Sequence, residues 1–388
     1  MSASAFRPRA VLAVLALLAA LSAAGLARPA AVHAAAPTPQ YALTFDDEFN
    51  GTAVDTSVWN HRTDVRGNSA QRAENVSESG GAMHIALKAE SYNGKSFTGG
   101  GLVSKAKFRY GYYETRMRLN TGPGWHSAFW STCGAGHDIF SDCKPRPSEI
   151  DGFEIDSASP RDIRMNAYGT TTSTTGNYDM GFDSSAGWHT YGYDYEETGV
   201  SQYIDGVLTR TIPFSAADNV QDWVNLWLTT IAFNNTPDPA QLPATVDWDY
   251  VRYYQQGYYV DNDGPTQAGY SESGPGWATS SLPGFAHSTS RYSCSPGVRA
   301  SWTFTPPAGG TYRVDTWNIV DPASPPDIAY TVSPAEAGPH TVAGRSGTTG
   351  WVTLGTDRLP AGTTQTVTAT GSGTGCLRAD SVRFVRVA

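Results

Sequence analysis

Three carboxylates lie within six residues of one apolar segment, at Glu149, Asp151 and Glu154. Their neighbours Ile150 and Phe153 are apolar, so the pattern predicts a half-buried strand rather than a solvated acidic loop. Like charges on such a strand drive the pKa values of the carboxyl groups apart. One carboxyl can then stay protonated while another ionises, which is what cleavage of a glycosidic bond requires. An acidic surface cluster or a metal site would also explain the spacing.

Strand geometry decides whether the three groups can share one face. Side chains alternate along a strand, so Glu149 and Asp151 point one way and Glu154 the other. One extra residue in a β-bulge would return Glu154 to the shared face, and glycine, here Gly152, often marks a bulge. The two Glu backbones would then lie roughly 13 Å apart. Their long side chains could bring the carboxyls to about 5–5.5 Å, the separation found in retaining glycosidases.

Residues 149–154 (EIDGFE) resemble the Glu-x-Asp-x-x-Glu signature of family 16 of the glycoside hydrolases, in its bulged form. Six further segments between residues 41 and 256 resemble elements of this family in the same order. They are residues 45–51 (FDDEFNG), 110–117 (YGYYETRM), 128–130 (AFW), 188–192 (WHTYG), 203–206 (YIDG) and 247–254 (DWDYVRYY). The signature is short, and the order of the seven matches makes it specific.

The resemblance implies an all-β fold, with a catalytic β-jelly-roll sandwich of the concanavalin type over residues 40–256 and a concave cleft for a polysaccharide. By position, Glu149 would be the nucleophile and Glu154 the general acid/base. Asp151 would hydrogen-bond Glu149 and help to set its charge. Glu154 would turn from acid to base once the glycosyl-enzyme has formed.

The same resemblance suggests residues for substrate and metal binding. The candidates for sugar contacts are Trp125, His126, Trp130, His189, Tyr203 and Trp227. Aromatic rings stack on apolar sugar faces, although a single Trp is more often part of a core. The reaction would need no cofactor. The resemblance also implies a structural calcium ion on the convex face, bound through two backbone carbonyls and an Asp, whose carboxylate is the hard oxygen ligand that Ca²⁺ prefers; the matching positions are Glu48, Gly81 and Asp249.

The composition agrees with an all-β protein of more than one domain. The 388 residues include 40 Gly, 24 Pro, 11 Trp and 20 Tyr, and only 16% are charged. Short β-branched and aromatic runs alternate with turn residues, and long helical periodicity is absent after residue 35.

Residues 1–34 have the pattern of a secretory signal peptide. Arg7 and Arg9 precede an Ala-rich apolar run, and residues 32–34 (VHA) offer a small-residue cleavage site. A membrane anchor is the alternative. Removal of this segment takes away three arginines and no acid, which changes the formal charge from −9 to −12. We therefore expect a secreted, extracellular, monomeric protein that binds neither nucleic acid nor membrane and prefers a neutral glycan.

Four cysteines fit an exported protein. Cys133 and Cys143 flank a loop before the acidic strand, and Cys294 and Cys376 lie in the C-terminal region. Pairing within each region is the natural choice among three connectivities, and free buried thiols are the alternative.

A domain boundary is expected near Gly257. Residues 258–388 contain several short strand patterns and resemble the C-terminal domain shared by golvesin and xanthan lyase, a small β-sandwich. The role implied is carbohydrate binding, which would raise the local substrate concentration. A structural spacer is the alternative. No low-complexity linker separates the two regions, so they could pack together.

The leading hypothesis is a secreted, retaining endo-glycoside hydrolase that cleaves β-1,3- or β-1,3-1,4-glucan. Glucanases of the family usually carry a Trp shortly before the first catalytic Glu, but residues 144–148 (KPRPS) contain none. This departure leaves room for an agar-type β-galactan. A transglycosylase, or a non-catalytic lectin on the same fold, would also fit these residues.

Overall fold

The computed structural model describes residues 41–120, 122–134, 149–168, 173–214, 223–255, 257–263, 269–285, 288–334 and 339–387. These residues form two β-rich regions, as the composition predicts. They include two short 3-10 helices, Ala73–Asn75 and Pro239–Gln241. Within these ranges, no helix has the length and hydropathy needed to cross a bilayer.

The described residues of the N-terminal region form eighteen strands. In chain order they are β1 (Ala42–Asp47), β2 (Trp59–His61), β3 (Val65–Arg66), β4 (Ser69–Gln71), β5 (Val76–Ser79), β6 (Ala82–Tyr92), β7 (Lys95–Phe108), β8 (Gly111–Arg118), β9 (His126–Thr132), β10 (Glu149–Asp156), β11 (Asp162–Tyr168), β12 (Ser173–Thr174), β13 (Tyr178–Asp179), β14 (His189–Glu196), β15 (Gly199–Ile204), β16 (Val207–Pro213), β17 (Val224–Ile231) and β18 (Ala244–Gln255).

The long strands make two antiparallel layers that curl into a jelly-roll. The cleft sheet has the order β11-β10-β9-β17-β7-β2. The outer sheet has the order β16-β15-β14-β8-β18, and β18 also pairs with β1 and β6. The β6–β7 pairing joins the two layers. The fold expected from the sequence is therefore the fold observed.

Aromatic rings fill the space between the two sheets. Phe153 of β10 packs on Tyr191 of the outer sheet with ring centroids 4.7 Å apart. Tyr193 stacks on Tyr113 at 4.5 Å with ring planes only 5° apart, and both rings are fully buried. Because alternate residues of β10 point into this core, its carboxylates point to the opposite face of the cleft sheet.

In the C-terminal region, the part of the chain that the structure describes adds twelve strands in three further sheets. They are β19 (Gly257–Val260), β20 (Tyr270–Ser273), β21 (Ala278–Thr279), β22 (Arg291–Ser293), β23 (Arg299–Phe304), β24 (Gly310–Asn318), β25 (Asp327–Ser333), β26 (His340–Ala343), β27 (Gly350–Leu359), β28 (Gln365–Thr370), β29 (Leu377–Ala379) and β30 (Val382–Arg386). A separate hydrophobic core lies between the sheets β19-β30-β24-β27 and β20-β23-β28-β25-β26.

The two regions pack directly against each other. Phe285 lies 6.1 Å from Tyr110 of the N-terminal region, measured between ring centroids. Further rings from the C-terminal side surround Phe285 at 4.8–5.6 Å; they are Tyr259, Trp317 and Trp351. Arg383 of β30 reaches across and bonds Glu197 at 3.0 Å. The C-terminal region is thus docked on the jelly-roll.

Candidate active site

The acidic strand β10 carries the bulge expected at Gly152. Against β9, Asp151 pairs with Trp130 and Phe153 pairs with the next residue, Phe129, so that Gly152 is the extra residue. The pairing with β11 shifts at the same place. Because of this extra residue, Glu154 returns to the face that carries Asp151, and both line one cleft together with Glu149.

Position 152 has no room for a side chain, so it must be glycine. A Cβ atom there would lie 2.0 Å from Cδ1 of Tyr193, deep inside van der Waals contact. The Gly152 carbonyl accepts a hydrogen bond of 2.6 Å from the Nε2 amide of Gln202, which is buried on β15. The outer sheet therefore holds the bulge from behind through one close ring and one hydrogen bond.

Asn166 on the neighbouring strand β11 joins two of the carboxylates. Its Nδ2 atom donates to Oδ2 of Asp151 at 3.0 Å and to Oε2 of Glu154 at 2.5 Å. Asn166 and Asp151 are each 4% exposed. The amide thus fixes the position of Glu154 relative to the buried carboxyl below it.

His126, at the start of β9, holds the other oxygen of Glu154. Its Nε2 atom lies 3.0 Å from Oε1 of Glu154, and its Nδ1 atom lies 2.8 Å from Oδ1 of Asp156. Arg164 bonds the second oxygen of Asp156 at 3.1 Å and lies 3.9 Å from Oε2 of Glu154. The imidazole is therefore clamped between two carboxylates of the same strand.

Burial and neighbouring charges set the protonation of the trio. Burial first, and then the charges of the other two carboxylates, raise the pKa of Asp151 well above its usual range. Burial, followed by the charge of Glu154, raises the pKa of Glu149 to about 7, against the opposing effect of Arg66 and Arg62.

Glu154 and His126 shift in the opposite sense. Burial opposes ionisation of Glu154, but the hydrogen bond and charge of His126, aided by Arg164 and Asn166, keep its pKa below the ordinary value. Burial likewise opposes the imidazolium form of His126, but its bonds to Asp156 and Glu154 outweigh this and raise its pKa. These contacts therefore favour the ionised form of Glu154, whereas the predicted roles need a proton on it during cleavage.

The carboxylates line a cleft of about 430 Å³. The segment 62–66 contributes a wall containing Arg62 and Arg66. Arg62 is 3% exposed, is bonded to Asp64 at 2.7 Å and lies over the Trp130 ring at 5.8 Å. Arg66 lies over the ring of Phe233 at 5.4 Å. The rest of the lining is given by His126, Ala128, Trp130, Thr229, Ile231 and Phe233.

Two of the six predicted sugar-contact residues line this cleft, namely His126 and Trp130. Trp130 is 7% exposed and donates from Nε1 to Oγ1 of Thr229 at 3.0 Å. Trp227 lies behind it, fully buried, with ring centroids 4.8 Å apart. Trp125 is 1% exposed and packs edge-on against Phe97. Trp227 and Trp125 are therefore core residues, so the expectation that they contact sugar is corrected.

His189 and Tyr203 do not line the cleft either. His189 stacks on Phe182 at 3.7 Å and bonds Asp205 at 2.8 Å. Tyr203 packs edge-on against Tyr112 at 5.5 Å. Both belong to β14 and β15, which pair in the outer sheet, and this placement corrects the expected contact with sugar.

Asn166 and the wall formed by residues 62–66 were not predicted from the sequence. Asn166 is a polar residue between Met165 and Ala167, which are both buried on β11, and this interruption was the available signal. No local signal marks the wall, because it lies more than 80 residues before the carboxylates and only the sheet pairing brings it there.

The three predicted calcium ligands, Glu48, Gly81 and Asp249, fit an ion only in part. Asp249 supplies a carboxylate, but its Oδ2 atom is bonded to Arg116 at 2.6 Å. Glu48 and Gly81 would contribute backbone carbonyls, and the ion pair between the Glu48 side chain and Arg252 at 2.6 Å does not involve the Glu48 carbonyl. Among the described residues, no group of three or more His, Cys, Asp or Glu side chains is arranged to hold a metal.

Cys294 and Cys376 form a disulfide in the C-terminal region. Cys133 also takes part in a disulfide. Its expected partner Cys143 lies outside the described residues, as do the run 144–148 and the predicted signal peptide at 1–34.

Sequence comparisons agree with this geometry. The profile described as "Glycosyl hydrolases family 16" matches residues 63–250, and that described as "Golvesin C-terminal domain" matches residues 259–386. A β-glucanase of Bacillus subtilis is 31% identical over 177 residues, which cover 43% of this chain and 67% of the relative. The chain belongs to family 16 of the glycosyl hydrolases.

Two further similarities place this family 16 chain among its relatives. A β-glucanase of Acetivibrio thermocellus is 29% identical over 224 residues, covering 55% of this chain. The match spans 63% of that relative's length. The crystal structure of a non-specific endo-β-1,3(4)-glucanase from family 16 superposes with a TM-score of 0.50 at 24% identity, over 56% of this chain and 92% of the other. This last similarity concerns the fold.

Proposed function

We propose that the protein is a secreted, retaining endo-glycoside hydrolase that cleaves β-1,3- or β-1,3-1,4-linked glucan. The observation that carries the proposal is the bulged strand β10, whose three carboxylates meet in one cleft beside Trp130. The β-glucanase relatives support glucan as the substrate. A predicted signal peptide and membership of a family of polysaccharide hydrolases support secretion.

Each carboxylate has one role in the proposed reaction. Glu149 attacks the anomeric carbon, and a pKa of about 7 lets a substantial fraction ionise at neutral pH. Asp151 keeps a proton because it is buried, so it can donate a hydrogen bond to ionised Glu149. Glu154 protonates the leaving oxygen and later removes a proton from the attacking water.

Hydrolysis of a glycan panel by the Glu149→Gln variant tests this proposal. Purified protein is incubated with laminarin, lichenan, agarose and arabinogalactan, and released oligosaccharides are measured. Loss of the nucleophile should reduce the rate on the preferred glycan by at least roughly 10³-fold. Glu114→Gln is the matched control, since it changes a buried Glu of the outer sheet in the same way. An unchanged rate in Glu149→Gln would refute the assignment.

The same experiment separates the competing functions. Products from agarose rather than laminarin would move the substrate to a β-galactan. Longer products when an oligosaccharide acceptor is added would indicate a transglycosylase. Retention of every glycan without any product would indicate a lectin.

We further propose that the C-terminal domain binds glycan while docked on the catalytic domain. Full-length Glu149→Gln protein is mixed with insoluble β-glucan and an excess of soluble oligosaccharide that fills the cleft. Binding that persists supports a second glycan site, and complete release contradicts it.

A structural calcium ion at Glu48, Gly81 and Asp249 is a proposal about stability alone. An ion there would have to share the Asp249 carboxylate with Arg116. Ligand at 100 times its dissociation constant stabilises by about 2.7 kcal/mol, so removal by EDTA should lower Tm measurably. Identical melting curves with calcium and with EDTA would contradict it.

A further inference from the structure

The contacts of His126 have a consequence for the acid step of the proposed reaction, on which this inference rests. A general acid must carry a proton near the working pH. An isolated carboxyl with an ordinary pKa of about 4.3 is mostly ionised at neutral pH. Glu154 is bound on one side by His126 and on the other by Asn166 and Arg164, an environment that favours its ionised form.

We propose that His126 and Glu154 share one proton, and that His126 is the positioning residue that keeps this proton available to Glu154. The Nε2 atom of His126 lies 3.0 Å from Oε1 of Glu154, which is a hydrogen-bond distance. The pair exists as imidazolium with carboxylate or as neutral imidazole with carboxylic acid. The two forms differ by the position of one proton, so no net proton is gained or lost between them.

Asp156 makes this sharing directional. It bonds Nδ1 of His126 at 2.8 Å, so the ring keeps a proton on Nδ1 and presents Nε2 to Glu154 in either form. Arg164 holds Asp156 in turn at 3.1 Å. The ring of Phe233 also packs against the imidazole, with ring centroids 5.8 Å apart. The guanidinium of Arg66 in turn lies over the Phe233 ring.

Substrate binding shifts the pair toward the acid form. A sugar in the cleft displaces water from Glu154, whose side chain is 19% exposed, while the His126 side chain is already only 8% exposed. A charge-separated pair loses more hydration than a neutral pair does, so the neutral form gains relative stability. The proton moves from Nε2 of His126 to Glu154.

The chemical step is then balanced. The Glu149 carboxylate forms an ester bond to the anomeric carbon, and the glycosidic C–O bond breaks with its electron pair on the leaving oxygen. That oxygen takes the proton from Glu154. Glu154 is again ionised beside His126, ready to remove a proton from water in the second step.

The proposal predicts which group controls the high-pH side of activity. While the pair holds one proton, acid catalysis continues, and this state ends when His126 deprotonates rather than at the ordinary carboxyl pKa. Without the imidazole, Glu154 alone must hold the proton. The high-pH limb of kcat/KM should therefore move down by about 1–2 pH units in His126→Asn, since ordinary His and Glu values differ by about 2.

Leaving-group chemistry gives the sharpest kinetic test. Laminarin needs the acid, whereas 2,4-dinitrophenyl β-laminaribioside has a leaving group that departs without protonation. His126→Asn should lose roughly 10²-fold in kcat on laminarin, with little change in KM, and keep its rate on the aryl glycoside. Equal losses on both substrates would overturn the proposal, because they would indicate a purely structural effect.

The matched control is His84→Asn. His84 also bonds a carboxylate through Nδ1, that of Asp247 at 2.8 Å, but it lies on β6 where β6 pairs with β18 in the outer sheet. We expect this variant to keep both rates and the pH profile of the original protein.

A substrate-free measurement separates this inference from the proposed function. NMR titration of ¹⁵N-histidine-labelled protein follows the His126 imidazole, in full-length protein and in Glu154→Gln. Loss of the Glu154 charge should lower the His126 titration midpoint by at least about one pH unit, and Asp156→Asn should lower it as well. An unchanged midpoint in Glu154→Gln would refute the shared proton.

The histidine titrations of Glu154→Gln and Asp156→Asn remain decisive if His126→Asn fails to fold, because both variants retain His126. If no glycan is cleaved but the midpoint moves, the proposed function fails and the shared proton stands. If glycans are cleaved and the midpoint does not move, the shared proton is refuted and the proposed function stands.

Discussion

Replacement of Gly152 by alanine tests whether the bulge positions the catalytic carboxylates. The new Cβ atom would lie 2.0, 2.4 and 2.7 Å from three ring carbons of Tyr193, whereas ordinary contacts begin at 3.4 Å. Tyr193 cannot retreat easily, because it is fully buried and stacked on Tyr113. The backbone of β10 must therefore move by more than about 1 Å toward the cleft.

The size of the effect follows from this displacement. Overpacking of a core costs typically about 1–3 kcal/mol. At roughly 2–4 °C per kcal/mol for domains of about this size, Tm should fall by roughly 2–12 °C. A misplacement of about 1 Å in a catalytic constellation can cost roughly 10²-fold in rate, so kcat/KM should fall more than the stability loss alone explains.

Thermal unfolding and hydrolysis are measured side by side, with Gly187→Ala as the control. A Cβ at Gly187 would meet nothing closer than 3.9 Å, so that variant should behave like the original protein. A double-mutant cycle with Tyr193→Ala identifies the cause, because Gly152→Ala should cost less once the ring is gone. Additive losses, or a Gly152→Ala variant with unchanged Tm and kcat/KM, would refute the steric explanation.

Three further predictions concern stability. Glu114 is buried, and mainly for this reason its pKa is raised to about 7 in the folded protein. The stability that protonated Glu114 contributes to the folded state is fully present below the pKa that Glu114 has in the unfolded chain, and it is lost as pH rises toward 7. Glu114→Gln should therefore gain stability relative to the original protein between pH 5 and 8, by up to about 3 kcal/mol in chemical denaturation; a gain independent of pH would contradict this. Replacement of both Cys294 and Cys376 by alanine opens a loop with a sequence separation of 82 and leaves the Cys133 disulfide intact, so it should cost about 2–5 kcal/mol and lower Tm relative to the unsubstituted protein; an unchanged Tm would contradict this. Arg383→Met removes the ion pair to Glu197 across the domain junction, and differential scanning calorimetry should then resolve two transitions in place of one; a single unchanged transition would show that the aromatic contacts suffice.

The electrostatics of the cleft differ from the charge pattern that the roles alone suggest. The sequence predicts an ionised Glu149 and a protonated Glu154. In the structure, His126 and Arg164 favour ionised Glu154, and burial favours a proton on Asp151. A shared proton between His126 and Glu154 reconciles this resting state with the acid step.

The C-terminal domain is also more than a tethered module. Phe285 packs against Tyr110 across the junction, and Trp351 packs on Phe285 from the C-terminal side, so the second domain is held there by ring contacts rather than by a linker alone. Any glycan it binds would be presented to the cleft from a defined direction rather than by a flexible linker.

Local chemistry along the chain determined the centre of the site. The acidic spacing, the apolar residues between the acids and Gly152 identify a bulged strand, since side-chain alternation is a property of the strand itself. Tertiary structure decided the surroundings: it brought Asn166 and Arg62 to the carboxylates, and it placed Trp125 in the core and His189 in the outer sheet. Protonation belongs to this second group, because burial and neighbouring charge depend on strands that are distant in sequence.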